Sequence, residues 1–480
     1  MRSPPVVICV FLVLGSVLSM ERIQHKCVHD TKFKGMGQQV LREYSDEAFK
    51  RIMQNSPSAS GSVSGGASTG SLTGGATGSF GTNTDSANVV DGWHQLRITV
   101  DYRQSNKFVQ TSSSLSSVYQ LSIRQVESVR TYFTKFFQVN FTPMLRFGGG
   151  KCYNNNIPAF QLPADLFITI YSENDRSTEY FAAATSCYMS GRDGRPVIGA
   201  YILNLAFLKA TPINEFLYFS TFAHEFTHIL GFSNDLFASY VVPGTTNKRG
   251  INSVVSSTTI SGQKFTVIVL PEVLTYAKSF FGCSSLAGVP LENDGGDGSA
   301  GSHWEKTFLP QEYMNPTVEN PGIISEFTLN LLRGSGWYKI DTGAAQHYDW
   351  GQGVGCAHFQ ICPTGPGYCS AAQVGSSVCA SEWNAKATCV QDRSFSASCN
   401  LKRARSHSCL LAGVFQADNT EYYGPGSRCI NYASAAGTDA KCHKVNVVSE
   451  LTLVRRKSTT NPGRLKHRDL HLHRTKGHRR

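Results

Sequence analysis

Beyond its first eighteen residues the sequence has no apolar run of the roughly twenty residues that a membrane helix needs, and it ends in charge instead of a hydrophobic tail. The first absence excludes a helical membrane protein, and the second leaves no glycolipid-anchor signal. Acidic residues are also in short supply, with 34 Asp and Glu against 45 Lys and Arg and a formal charge of +11. That excess is local. Residues 454–480 hold ten Lys or Arg and one Asp, so everything upstream carries only about +2. A nearly neutral body lacks the basic surface that a specific nucleic-acid partner would require. The tail itself, with His467, His471, His473 and His478, has the composition of a solvated disordered end and is assigned no catalytic role.

What is present points outside the cytosol. Arg2, the apolar run Val6 to Leu18 and the small residues Ser16 and Ser19 read as a secretory signal peptide over 1–19. Fourteen cysteines in such a chain imply a disulfide framework. Cys9 leaves with the signal peptide, and thirteen is odd, so one thiol is expected to stay free or to pair with another molecule. Cys27 is the candidate, because it stands far from the next cysteine, Cys152. Nine cysteines fall between Cys356 and Cys442, and an odd cluster must send a bridge outward, best to Cys283, which leaves Cys152 to pair with Cys187.

Along the chain, a helical stretch near Gly37 to Met53 precedes Ser56–Ser86, a flexible linker of Ser, Gly, Thr and Ala. From Trp93 the texture becomes that of a folded body. Leu96 to Tyr102 alternates like a strand, Ser114 to Phe137 reads as a long amphipathic helix, and Leu166 to Tyr171 and Arg195 to Leu205 read as apolar strands. The last of these is expected at a sheet edge, where it either aligns a substrate or simply closes the sheet. Asn140-Phe141-Thr142 is a glycosylation sequon.

Residues 221–232 read Thr-Phe-Ala-His-Glu-Phe-Thr-His-Ile-Leu-Gly-Phe, which places His224, Glu225 and His228 in an HExxH pattern. Residues four apart on a helix lie one turn over the other, so two imidazoles can grip one metal ion while Glu225 stands beside it. Apolar neighbours at helical spacing, among them Phe222, Phe226, Ile229 and Leu230, put the pattern on a buried helix that Gly231 can end. The chemistry expected is peptide hydrolysis by zinc-activated water with Glu225 as general base. A catalytic zinc needs a third protein ligand. In the compact metzincin spacing it would fall at position 234, which is Asn234 here.

Another histidine occurs in Gly301-Ser302-His303-Trp304, followed by Gln311-Glu312-Tyr313-Met314-Asn315-Pro316. With the HExxH helix, with Leu230 to Phe237, with Ile324 to Tyr338 and with the cysteine-rich region, this set resembles the leishmanolysin family. The resemblance implies His224, His228 and His303 as ligands of one catalytic Zn²⁺, Glu225 as general base and Met314 beneath the metal. It also extends to His-Lys-Cys-Val-His-Asp at 25–30, similar to the family's pro-segment motif, which implies Cys27 as a switch that keeps the enzyme latent. The implied fold is α+β. It comprises a pro-segment with linker (20–88), a metzincin-type catalytic domain of twisted sheet and active-site helix (89–262), a central mixed domain with the third histidine and the methionine turn (263–345), a disulfide-rich, loop-rich C-terminal domain (346–453) and the basic tail (454–480). Cleavage of the pro-segment is expected around Ser86 to Val90.

The function expected is therefore that of a secreted, zymogenic zinc metalloendopeptidase acting on protein or peptide substrates. A binding or adhesion protein engaging glycans or cell surfaces on the same scaffold is the alternative, and peripheral cell-surface association is compatible with either. A gluzincin-like variant would make Glu272 or Glu312 the last ligand. His94, His347, His358 and His407 lie outside ligand-like spacing and are read as surface or core residues.

Overall fold

The structure, a computed structural model, describes residues 25–33, 36–55, 80–81, 89–105, 113–140, 142, 144–210, 215–293, 300–318, 322–360, 368–380, 385–392, 399–409, 421–424, 427–434 and 437–444. The stretch read above as a signal peptide, most of the expected linker and the basic tail lie outside these residues. The N-terminal region supplies β1 (His25–Lys26), β2 (Gln39–Val40) and α1 (Asp46–Asn55). The helix expected near Gly37 to Met53 thus starts later, because residues 39–40 pair with a sheet instead. The body follows as β3 (Phe80–Gly81), β4 (Ile98–Asp101), α2 (Ser113–Phe136), β5 (Leu166–Glu173), β6 (Ala182–Met189), β7 (Pro196–Asn204) and α3 (Glu215–Leu230). Downstream come α4 (Pro271–Phe281), β8 (Thr317–Val318) and α5 (Glu326–Gly334), then β9 (Ser377–Cys379), β10 (Ala385–Asp392), β11 (Cys399–Ser408), β12 (Ser427–Ser434) and β13 (Gly437–Lys444).

The central sheet has the order β2-β6-β7-β5-β4-β3. β5 runs parallel to both β4 and β7, while β6 is antiparallel to β7. The strand at Arg195 to Leu205 is therefore interior and not an edge. Its sequence carried the reason: every residue of β7 is buried, and an apolar run without polar alternation is what a strand covered on both faces looks like. The outer strand of the body is β6, a run of Ala, Thr and Ser that gives little strand signal. Side chains alternate across the sheet as the pleat requires. Tyr201 and Leu203 join one core with Phe222, Phe226 and Ile229 of α3, and Ile198, Ala200 and Ile202 join a second with Phe147, Tyr180 and Phe33.

The first core continues through Trp304, Phe327, Trp337 and Trp350 to Leu401. Helices α4 and α5 lie against one another within it. Farther on, apolar clusters become small, and cross-links replace burial. Bridges join Cys369 to Cys389, Cys379 to Cys429 and Cys409 to Cys442, and Cys399 is also disulfide-bonded. The expected outward bridge is Cys283–Cys356, and Cys152 pairs with Cys187. Cys27 is buried and takes part in none of these bridges. The result is a disulfide-rich α+β chain. Among the described residues no helix is long and apolar enough to cross a membrane.

One glycine sets how close α3 lies to the sheet. A Cβ at Gly199 of β7 would come 2.7 Å from Ile229 Cγ2 and 3.0 Å from the Thr185 carbonyl oxygen, the second a backbone atom that cannot swing away. Gly199→Ala should therefore lower stability by about 1–3 kcal/mol through overpacking, read as a drop in melting temperature. An unchanged melting temperature would refute this close packing.

Candidate metal centre

Helix α3 is fully buried along the motif, with its apolar side on the sheet and His224, Glu225 and His228 facing a closed site. It ends where Gly231 takes φ +156°, and a Cβ there would come 3.3 Å from the Trp337 ring and 3.4 Å from Leu332. The N–H groups of Gly231 and Phe232 both donate to the Thr227 carbonyl, each at 3.0 Å. This tight exit folds the Phe232 carbonyl back toward the helix, where it accepts from His228 Nδ1 at 2.6 Å. His224 Nδ1 donates in the same way to the Tyr313 carbonyl, 2.6 Å away. With both Nδ1 atoms protonated toward carbonyls, both Nε2 atoms carry lone pairs.

Those lone pairs converge. His224 Nε2 lies 3.0 Å from His228 Nε2 and 3.3 Å from His303 Nε2. Ligands about 2.0–2.1 Å from one tetrahedral ion stand about 3.3 Å apart, so the spacing suits a metal. Cys27 Sγ completes the group 3.4 Å from His228 Nε2 and 3.9 Å from Glu225 Oε1. The four ligand atoms of Cys27, His224, His228 and His303 lie within 4.8 Å of one another, and all four residues are buried. Facing lone pairs repel unless a cation lies between them, and three imidazoles with a thiol are a donor set that suits a divalent, borderline-soft ion. Burial, with the neighbouring His29, His224 and His303 adding to it, pushes His228 well below the usual histidine range, which keeps its lone pair available.

The third histidine arrives from a distant loop. Asn234, the residue at the compact third-ligand position, donates its backbone N–H to Ser302 Oγ at 3.1 Å, so the loop carrying His303 returns beside that position. Met314 is buried on the turn that follows, and its carbonyl accepts from Trp304 N–H at 3.1 Å. Tyr313 also fastens this turn to α3 through its hydroxyl, 2.9 Å from Thr227 Oγ1.

Neither alternative ligand joins the cluster. Glu272 pairs with Arg249 at 2.5 Å on α4. Glu312 accepts from Met314 N–H at 2.5 Å, Thr328 Oγ1 at 2.6 Å and Ser325 Oγ at 2.8 Å. Burial, only partly offset by those donors, pushes its carboxyl up to about 7. His94 and His358 are structural, the first 2.8 Å from Asp165 Oδ2 and the second donating to the Phe308 carbonyl at 2.8 Å. The side chain of His407 lies outside the described residues.

The N-terminal region does more here than its cysteine suggested. β1 pairs antiparallel with β8, and Cys27 N–H donates to the Pro316 carbonyl at 3.0 Å. His29 stacks on His228 with ring centroids 4.1 Å apart. Its Nδ1 donates to the Ala184 carbonyl of β6 at 2.5 Å, which leaves Nε2 to accept from Ser233 Oγ at 3.2 Å. Lys32 Nζ donates to Glu173 Oε2 and Tyr180 OH, each at 2.8 Å, and sits 4.7 Å above the Tyr180 ring. Phe33 enters the second core. His29 lay within the same short element as Cys27 and could have been singled out from the sequence. Lys32 carried no such signal.

Comparison with known proteins places the chain in a family. The leishmanolysin family profile matches residues 145–439. The leishmanolysin-like peptidase of Drosophila melanogaster is 31% identical over 204 residues, covering 37% of this chain and 30% of its own length. Leishmanolysin of Leishmania major is 30% identical over 177 residues, 37% of this chain and 27% of its own length. The ciliated left-right organizer metallopeptidase of Danio rerio is 29% identical over 201 residues, 40% of this chain and 32% of its own length. The chain thus spans about a third of the length of these curated relatives. Because the profile covers more than half of the chain and takes in the motif helix, the third histidine and the methionine turn, the chain belongs to the leishmanolysin family.

Proposed function

We propose that the chain is a secreted, zymogenic zinc metalloendopeptidase acting on proteins or peptides. In this reading His224, His228 and His303 hold the metal, Glu225 is the general base, Met314 lies beneath the site and Cys27 keeps it shut. The convergence of three imidazole nitrogens with one thiol in a buried site supports it most directly. Zinc in this donor set would supply Lewis acidity toward a peptide carbonyl. Glu225, next to a ligand on the same helix, takes a proton from the attacking water and returns it to the leaving nitrogen. The twisted sheet, motif helix and methionine turn fit a metzincin-type arrangement, with a catalytic unit over 89–262, a central unit over 263–345 and a cysteine-rich unit over 346–453. The outer strand β6 offers an edge on which an extended substrate can add. The disulfides suit an oxidising, extracellular setting.

Latency follows from the N-terminal contacts. A thiolate is a strong zinc ligand and takes the position that water needs. β1 and β2 occupy strand partners on β8 and β6, so an extended substrate has neither edge while the pro-segment is docked. Lys32 forms a second anchor, remote from the metal. Burial pushes the Glu173 carboxyl up, but Lys32 and the hydroxyls of Tyr180 and Tyr153 outweigh it and hold Glu173 below its ordinary value. Val89 and Val90, at the expected cleavage region, are exposed.

Glu225→Gln should lower casein cleavage by the activated protein about 10²–10⁴-fold while leaving one equivalent of bound zinc. Cleavage at the wild-type rate would sink the role of Glu225. His303→Ala should lose stoichiometric zinc on dialysis, and undiminished metal content would remove His303 from the site. For the second anchor, the sign is that of a carboxyl lowered in the docked state. Its contribution is full above the ordinary glutamate value, about 4.3, and is lost as pH falls through the lowered one. In metal-free full-length protein, labelling of Cys27 by a pyridyl disulfide should accelerate below about pH 4, and Lys32→Met should label faster already at pH 6. Equal labelling of Lys32→Met and wild type at pH 6 would remove Lys32 as an anchor.

A further inference from the structure

We propose that Glu312 is a positioning residue that holds two of the three metal-binding histidines in place from behind the Met314 turn. The inference rests on the metal-site reading above and adds a residue that makes no contact with the metal-binding group itself.

Every hydrogen around this carboxylate points toward it. Thr328 Oγ1 accepts the indole N–H of Trp304 at 2.8 Å, so its own hydrogen is free to go to Glu312 Oε1, 2.6 Å away. Ser325 Oγ accepts the N–H of Phe327 at 3.2 Å as the cap of α5, and its hydrogen reaches Glu312 Oε1 at 2.8 Å. The third donor is the backbone N–H of Met314, 2.5 Å from Oε2. Three donors with no donor group required in return are met by a carboxylate and not by an amide, which would turn an NH₂ group toward one of them. Capping α5 does not demand this acid, because Ser325 already performs it.

From Glu312 two short paths lead to ligands. One runs through Thr328 to the Trp304 indole, and Trp304 follows His303 in sequence and donates its backbone N–H to the Met314 carbonyl at 3.1 Å. The other runs through the adjacent Tyr313, whose carbonyl orients His224 through Nδ1 at 2.6 Å and whose hydroxyl lies 2.9 Å from Thr227 on the same helix. His228 takes its ring orientation from the Phe232 carbonyl at the end of its own helix. Glu312→Gln places an NH₂ against Met314 N–H or against the two hydroxyls, which displaces the turn and with it the acceptor for His224. Outer-shell partners of metal-binding histidines are typically worth 10–100-fold in metal affinity.

The test uses the full-length protein loaded with cobalt(II), whose visible d–d bands report ligand geometry directly. Wild type should take up one equivalent, and Glu312→Gln should bind it about 10–100-fold more weakly with shifted, weaker d–d bands. Thr328→Val, which breaks only the path to His303, should show a smaller change of the same kind. A Glu312→Gln protein that melts earlier yet keeps the wild-type cobalt affinity and spectrum would have lost only stability, and the positioning role would be overturned. Should that variant not fold, Thr328→Val decides alone, with unchanged affinity and spectrum counting against the proposal. A wild-type chain that takes up no stoichiometric cobalt would overturn the metal-site reading itself, and this inference with it.

Discussion

Two backbone carbonyls govern the chemistry of this molecule. Phe232 and Tyr313 each accept an Nδ1 proton from a motif histidine, which fixes the tautomer and turns the Nε2 lone pairs toward one another. In water two imidazoles would not hold that arrangement, because lone pairs repel and the rings would rotate or protonate. Here burial opposes protonation of His228, and packing around α3 opposes rotation. Main-chain acceptors thus set the direction of both lone pairs. Gly231 returns the Phe232 carbonyl to the helix end, and the methionine turn presents the Tyr313 carbonyl.

The N-terminal segment meets the same centre from outside. Its thiol joins the imidazoles, its histidine stacks on His228, and its backbone adds a strand partner to β8 and another to β6. In the proposed reading this is latency built from several weak attachments. Lys32, held by Glu173 and Tyr180, is an attachment made without the histidine cluster, and it yields to acid as the Glu173 carboxylate is protonated. Stability is divided in a similar way. Up to about Tyr368 two apolar cores, one on each face of the central sheet, carry the fold, whereas the last strands have small clusters and depend on cross-links.

Much of this was legible in the chain, but unevenly. The strands at 98–101 and 166–173 and the long helix at 113–136 follow from periodicity, because their apolar faces are large and continuous. The outer strand was misplaced for a physical reason. β7 is apolar on both faces and so belongs inside, while β6, made largely of small residues, gives no signal of its edge position. Glu312 was open to being read as a ligand because a buried acid near a metal motif has that chemistry. Only the structure shows its oxygens engaged by Met314, Ser325 and Thr328, outside the cluster of possible ligands.

By itself the sequence determined the donor types and their count: two imidazoles and a carboxylate on one helical turn, a third imidazole downstream, and an odd cysteine left over from the pairing. The helical pair with its carboxylate and the odd cysteine follow from spacing and parity, which are properties of the chain, whereas the third imidazole was expected only from the resemblance to the leishmanolysin family. What only the tertiary structure decided is where the distant pieces meet. His303 reaches the helix because its loop returns beside Asn234, and Cys27 reaches it because β1 finds β8. Such encounters rest on long-range packing and hydrogen bonding between segments that share no local pattern, so no spacing rule contains them.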